Sequence, residues 1–385
     1  MLKNILYKTV LCLGMSLALT ACSQDEVAGG ESPQTGSSVR ILCRIANASN
    51  TRADTEPGWD DGWNENTIQR LDIFRFDKDG NAKGHYVPTA WPTFTNETTG
   101  YQEVTVNGLT YRDLSENQTD QFYMVANCSG LEDIEVENIA ALKASMATPT
   151  LVFNEKQTVF AMDGKGTLDV NTGSQEAMLS FDLSRAAAKI RLLVNNSDKN
   201  NITSQCTYQL FNYVLSSTSV LSDGEMYGKG NGQTLQDMTD LGKSALEKDD
   251  KAIFYSYPND WFDESFLDKN TGTFPLDKEN KPTNPYAYDN LIDENRQTYF
   301  LLKAPYGGNT YYYKVPVNFS IADYNDKESF TKEEIETLRS DYYRLSRNHL
   351  YDITVTIDRE GGSLTDPVTP KFHILVEDWK EGGSY

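Results

Sequence analysis

Short stretches in which apolar and polar residues alternate with a period of two recur along this chain, and turn-forming residues close each of them. That pattern restricts the fold to β-sheets with one buried face. In 39–45, Val39, Ile41, Cys43 and Ile45 alternate with Arg40, Leu42 and Arg44, which predicts a strand. The polar stretch 47–66 then reads as a long exposed loop. A strand is predicted over 68–76, closed by Asp77-Lys78-Asp79-Gly80-Asn81, whose Asp-Gly step favours a tight hairpin. Strands follow at 102–106 and 121–126, the second apolar enough to lie centrally. A helix is predicted over 138–146, capped by Asn138, with Ile139, Leu142 and Met146 on one face.

Two alternating stretches, 178–184 and 185–194, meet at Arg185, which predicts that the chain leaves one sheet system there and enters another. Further strands are predicted at 208–215, 252–257, 298–303, 310–317 and 353–357, with a last one at 371–379. Thr331 and Glu334 have capping-box spacing and open a short helix through Leu338. The segment 258–295, with Pro258, Pro275, Pro282 and Pro285, reads as a surface excursion. With 385 residues the chain can form two cores, and few helices interrupt its strands. The expectation is an all-β protein of two β-sandwich domains, 39–184 and 185–385.

The first residues say where such a chain folds. Lys3 and Lys8 precede an apolar run, 9–21, that is too short to span a bilayer and ends Leu19-Thr20-Ala21-Cys22. This reads as an export signal, 1–21, cut before Cys22, and the pattern resembles a bacterial lipoprotein lipobox, which implies acylation of Cys22 on its sulfur and its new amino group. Several acyl chains on Cys22 would anchor the protein stably. Residues 22–38, rich in Ser, Gly, Gln and acidic side chains, read as a flexible tether.

The formal charge is −21, and −23 once Lys3 and Lys8 are lost, so nucleic acid is excluded as a partner. Past the lipidated residue, Cys43, Cys128 and Cys206 fit no zinc spacing and read as buried fillers, with a Cys43–Cys128 bridge also open. His85, His349 and His373 lie beside no recognisable nucleophile. Asp77 to Asn81 resembles the start of a calcium loop, but Gly80 falls at the fourth position where such a loop needs glycine at the sixth. No catalytic group, metal or cofactor is expected. Trp59, Trp63 and Trp91, and Trp261 with Tyr286 and Tyr288, are candidates for a sugar-stacking surface.

Several motifs, in order and spacing, support a family resemblance. They are the Cys22 signal, Thr51-Arg52-Ala53, Leu71-Asp-Ile-Phe-Arg-Phe76, Phe122-Tyr-Met-Val-Ala-Asn127, Phe160-Ala-Met-Asp-Gly164, Ser184-Arg-Ala-Ala-Ala-Lys-Ile190, Arg347-Asn-His-Leu-Tyr351 and Val376-Glu-Asp-Trp379. With these the chain resembles the fimbrillins, the pilins of type V pili in Gram-negative anaerobes, with a C-terminal domain similar to that of minor-type subunits.

The resemblance implies two tandem transthyretin-like, Greek-key β-sandwich domains and an outer-membrane lipoprotein precursor. It also implies a trypsin-like protease that cuts after an arginine and removes the first strand, so that another subunit's strand fills the vacated groove. Arg52 is the expected cut, in a loop a protease can reach, with Arg44 and Arg40 as alternatives. Phe372, Ile374, Val376 and Trp379 of the last strand would be the donor residues, unless that strand completes its own domain. The implied partners are other fimbrial subunits, the protease, the outer membrane and a host protein or glycan. The competing readings are an unprocessed anchor or tip subunit, and a lipid-anchored glycan-binding protein.

Overall fold

The computed structural model describes residues 37–46, 64–95, 98, 100–131, 136–152, 155–216, 238–244, 251–263, 293, 295–318 and 343–378. Among them the chain is all-β, with two short helices. Its first strands are β1 (Ser38–Ile45), β2 (Leu71–Phe76), β3 (Ala82–Tyr86), β4 (Gln102–Glu103), β5 (Gln121–Ala126), β6 (Met162–Asn171) and β7 (Glu176–Arg185). They form one seven-stranded sheet in the order β3-β2-β5-β6-β7-β1-β4. Both ends of the sheet reach one apolar cluster, with Ile41, Cys43 and Ile45 from one side and Ile73, Phe74 and Phe76 from the other. One sheet thus wraps its own core, which gives sandwich layering without a second sheet. Gly166 makes room for this: a Cβ there would lie 2.8 Å from the Phe181 ring and 2.9 Å from Phe122.

The chain passes from this sheet to the next through Ala186 and Ala187, both buried. The second part contains β8 (Ala188–Asn196), β9 (Thr207–Phe211), β10 (Thr239–Asp240), β11 (Ala252–Ser256), β12 (Asn259–Asp260), β13 (Tyr299–Tyr306), β14 (Asn309–Pro316), β15 (Arg344–Leu345), β16 (His349–Ile357) and β17 (Lys371–Asp378). Two four-stranded sheets, β10-β9-β13-β14 and β11-β8-β16-β17, face each other. Ile190, Leu192 and Phe254 meet Tyr208, Phe300 and Tyr313 in the cluster between them. Strand β11 is buried on both sides: Ala252 and Phe254 join this cluster, whereas Ile253 and Tyr255 join the first.

Local signals explain many boundaries. Gly307 and Gly308, both at positive φ, turn the β13–β14 hairpin. Asn138 caps α2 (Ile139–Ser145) by accepting from the Ala141 amide at 2.9 Å. The preceding helix, α1 (Tyr111–Ser115), is set by a capping box of Thr110 and Asp113 that the strand pattern had hidden. The Asp77 turn is confirmed as a turn, its carboxylate accepting from the amides of Asp79 and Asn81.

Other expectations need correction. Strand β2 starts at Leu71 rather than Ile68, because the Asn127 side chain accepts from the amides of Gln69 and Arg70 at 2.8 and 3.4 Å and takes them out of the ladder. Strand β4 keeps only two residues of 102–106, and β9 ends at Phe211, where Asn212 turns to positive φ. The start of the expected surface excursion is core: Trp261 and Phe262 are buried, with Asn259 bonding three partners. The helix expected over 331–338 lies outside the described residues.

Candidate functional site

The expected removable strand is β1, and its surroundings define the site. It pairs in parallel with β7 at every residue, from Ser38 opposite Glu176 to Ile45 opposite Leu183. On its other side, among the described residues, only Leu42 and Cys43 find ladder partners, Glu103 and Gln102 of β4, with one further bond from the Val104 amide to the Ile41 carbonyl. One long ladder and one very short one therefore hold the strand. Ile41, Cys43 and Ile45 point into the first core and are at most 4% exposed. Burying them contributes roughly 5 kcal/mol.

The outward face of β1 carries charge. The Arg44 guanidinium donates to both oxygens of Asp182, Nε at 2.5 Å and Nη2 at 3.2 Å. Tyr101 donates its hydroxyl to the same carboxylate at 2.9 Å, and its ring lies 4.6 Å below the guanidinium carbon. Burial pushes the Asp182 carboxyl up, but the bonds from Arg44 and Tyr101 outweigh it and hold the group below its ordinary value. Arg40 lies 3.7 Å from Glu103. Leu42, expected on this polar side, is nonetheless buried.

Past residues 47–63, which lie outside the described residues, Asn64 to Asn66 are held tightly. Here the exposed-loop expectation fails, because Glu65 and Asn66 are each 1% exposed. Asn64 and Asn66 donate to the carbonyls of Phe94 and Thr95. Glu65 receives the Tyr255 hydroxyl at 2.5 Å and pairs with Lys189 at 3.1 Å, while Asn66 accepts from Arg185. Arg347 joins the same buried group, donating to the carbonyls of Ser184 and Arg185 and pairing with Asp163 at 2.5 Å. Asn348, at φ 55°, accepts from the Arg185 amide and donates its own amide to Ala187. Periodicity could not reveal this cluster. The signal in the sequence is Lys189, a charged residue between apolar neighbours in β8.

The last strand, β17, forms the edge of its own sheet and pairs with β16 from Lys371–Thr356 to Asp378–His349. Phe372 and Ile374 pack partly on the second core, whereas Val376 is 38% exposed. Cys22, Arg52 and Trp379 lie outside the described residues, as do Trp59, Trp63, Tyr286 and Tyr288. Of the sugar-stacking candidates that are described, Trp261 is fully buried, and Trp91 is half-buried with its indole bonded to the Ile68 carbonyl. Cys43, Cys128 and Cys206 are buried free thiols, so the Cys43–Cys128 bridge is not formed. His85 stacks on Phe74 and lies 2.8 Å from Asp72; His349 bonds the Arg347 carbonyl.

No family model and no curated protein matches the chain. It is similar to solved structures of fimbrial proteins. A fimbrilin from Porphyromonas gingivalis shares 13% identity at a TM-score of 0.46, over 91% of this chain and 100% of the other. The tip fimbrial protein Mfa3 from the same species, C-terminally truncated, shares 14% at 0.42, over 89% and 98%. A fimbrial assembly protein from Parabacteroides distasonis shares 11% at 0.41, over 88% and 94%.

Proposed function

We propose that this chain is a structural subunit of a cell-surface fimbria. In this reading it is exported as a lipoprotein through Cys22, cut after Arg52 and joined to other subunits by exchange of β1 for a partner's strand. The observation that carries the proposal is the seating of β1. It fills the core with apolar side chains, yet among the described residues it is ladder-bonded fully on one side only, and Arg52 follows it in the sequence. Losing it would leave the β7 edge unpaired beside an apolar groove, and another strand satisfies both. Because Asn64 to Asn66 are clamped separately, a cut at Arg52 would free β1 without loosening the fold behind it. Strand β17, a sheet edge with Val376 exposed, is the segment proposed to reach the next subunit through Phe372, Ile374, Val376 and Trp379.

The test is N-terminal sequencing of the mature surface protein, together with limited digestion of the full chain by an arginine-specific protease. The proposal expects a new terminus at Ala53 and detergent-resistant multimers after digestion. A mature chain that keeps an acylated Cys22 and never forms multimers would count against it.

A further inference from the structure

Resting on the strand-exchange reading above, we propose that the β1 slot selects its incoming strand by charge. It accepts a strand with a basic residue at the position of Arg44, so this chain's own C-terminal strand enters in one direction and register, with Lys371 against Asp182. Removing β1 takes Arg40 and Arg44 away and leaves Asp182 and Glu103 without the cations they face. Asp182 is held in place for a cation: the Tyr101 hydroxyl fixes its carboxylate, and the Tyr101 ring forms a floor that favours a guanidinium over a neutral group. The position opposite Asp182 in the ladder is set by the parallel register of Arg44 on β7.

The chain's own last strand meets this requirement in one register only. Two registers in the β1 direction place Phe372, Ile374 and Val376 inward. One puts Glu377 at the position of Arg44, directly against Asp182, and the other puts Leu375 there. Run the opposite way, one register brings His373 to Asp182 and carries Glu377 to the position of Arg40, next to Glu103, while the other brings Lys371 to Asp182 and Leu375 to the position of Arg40. Two of the four place an acid beside Asp182 or Glu103, and only the last keeps a cation against Asp182. The apolar face of the last strand fits the groove in all four, and its charges choose among them.

The experiment clips the full chain with an arginine-specific protease, quenches the protease and adds labelled peptides in excess. The peptides are residues 37–46, the same peptide with Arg44→Glu, and residues 371–379 with Lys371→Glu. Capture of the 37–46 peptide is expected. The other two should be captured about tenfold less well, and that difference should shrink in high salt. The full chain with Asp182→Lys should restore capture of the Arg44→Glu peptide. Equal capture of all three peptides by the unaltered chain overturns charge selection and leaves strand exchange standing. Capture of none, the 37–46 peptide included, overturns strand exchange and the selection with it. If Asp182→Lys impairs folding, the salt dependence in the unaltered chain decides: a difference that salt leaves unchanged overturns the proposal.

Discussion

The Glu65 carboxylate lies 3.1 Å from the Lys189 ammonium, with the two side chains 1% and 6% exposed, and so ties the start of the first sheet's chain to the first strand of the second. The Tyr255 hydroxyl bonds the same carboxylate from β11, whose alternate residues belong to both cores. Removing one partner of such a pair strands a buried charge, which costs more than the pair itself contributes. Glu65→Ala should therefore lower unfolding stability by about 3–5 kcal/mol in denaturant titrations. Replacing Glu65 and Lys189 together by methionine should cost clearly less. Equal losses in the single and double variants would show that the ion pair is not what binds these elements.

Asn127 does several jobs at once. Its backbone adopts φ 60°, its side-chain oxygen accepts from Gln69 and Arg70, and its amide donates to the carbonyls of Thr67 and Phe160. Asn127→Gly relieves the backbone but loses the bonds, and Asn127→Ala loses both. The expected order of stability is native, then Gly, then Ala, with the Gly variant down by about 2 kcal/mol or more and Ala lower by roughly a further 1 kcal/mol. Thermal denaturation of the three proteins checks the order.

The regular elements were legible in the sequence because their signals are local. The alternation at β1 and β7, the Gly307-Gly308 turn and the Asn138 cap each act within a few residues. The clamp was not legible, because its partners are distant: Glu65 meets Lys189 and Tyr255, and Arg185 meets Asn66 and Asn348. A polar run such as 47–66 looks uniform until the fold buries its end. Trp261 misled for the same reason, since proline-rich surroundings suggested exposure while its indole fills the second core. Strand β2 hid its two-sided burial because Asp72 and Arg75 interrupt the apolar run and are satisfied by Arg70, His85 and Asp120.

Asp72 gives the fold an acid limit. Burial pushes its carboxyl up, but hydrogen bonds from His85 and Arg70 outweigh that and hold it below the ordinary 3.8. With the folded value below the unfolded one, its contribution is fully present above the unfolded value and fades as pH falls through the folded one. Asp72→Asn should be less stable than the native chain at pH 6. The gap should narrow as pH drops below about 4, as followed by unfolding at a series of pH values.

Cys43 offers a direct readout of whether β1 leaves. Burial pushes its thiol up to about 12, as it does that of Cys206, and raises that of Cys128 as well. All three should resist iodoacetamide in the intact protein, because the thiolate is the reactive form and the side chains are enclosed. Strand β1 carries Cys43 with it, whereas Cys128 and Cys206 stay in the two cores. After arginine-specific cleavage, excess peptide 37–46 bearing Cys43→Ser should displace β1 and expose Cys43 alone. At pH 8 its alkylation should accelerate on the order of a thousandfold, while Cys128 and Cys206 stay protected; peptide mass spectrometry reads all three sites. Cys43 still protected after cleavage would mean that the first strand holds its place, and that the groove never opens to a partner. Simultaneous labelling of all three would mean that the chain unfolds instead of exchanging a strand.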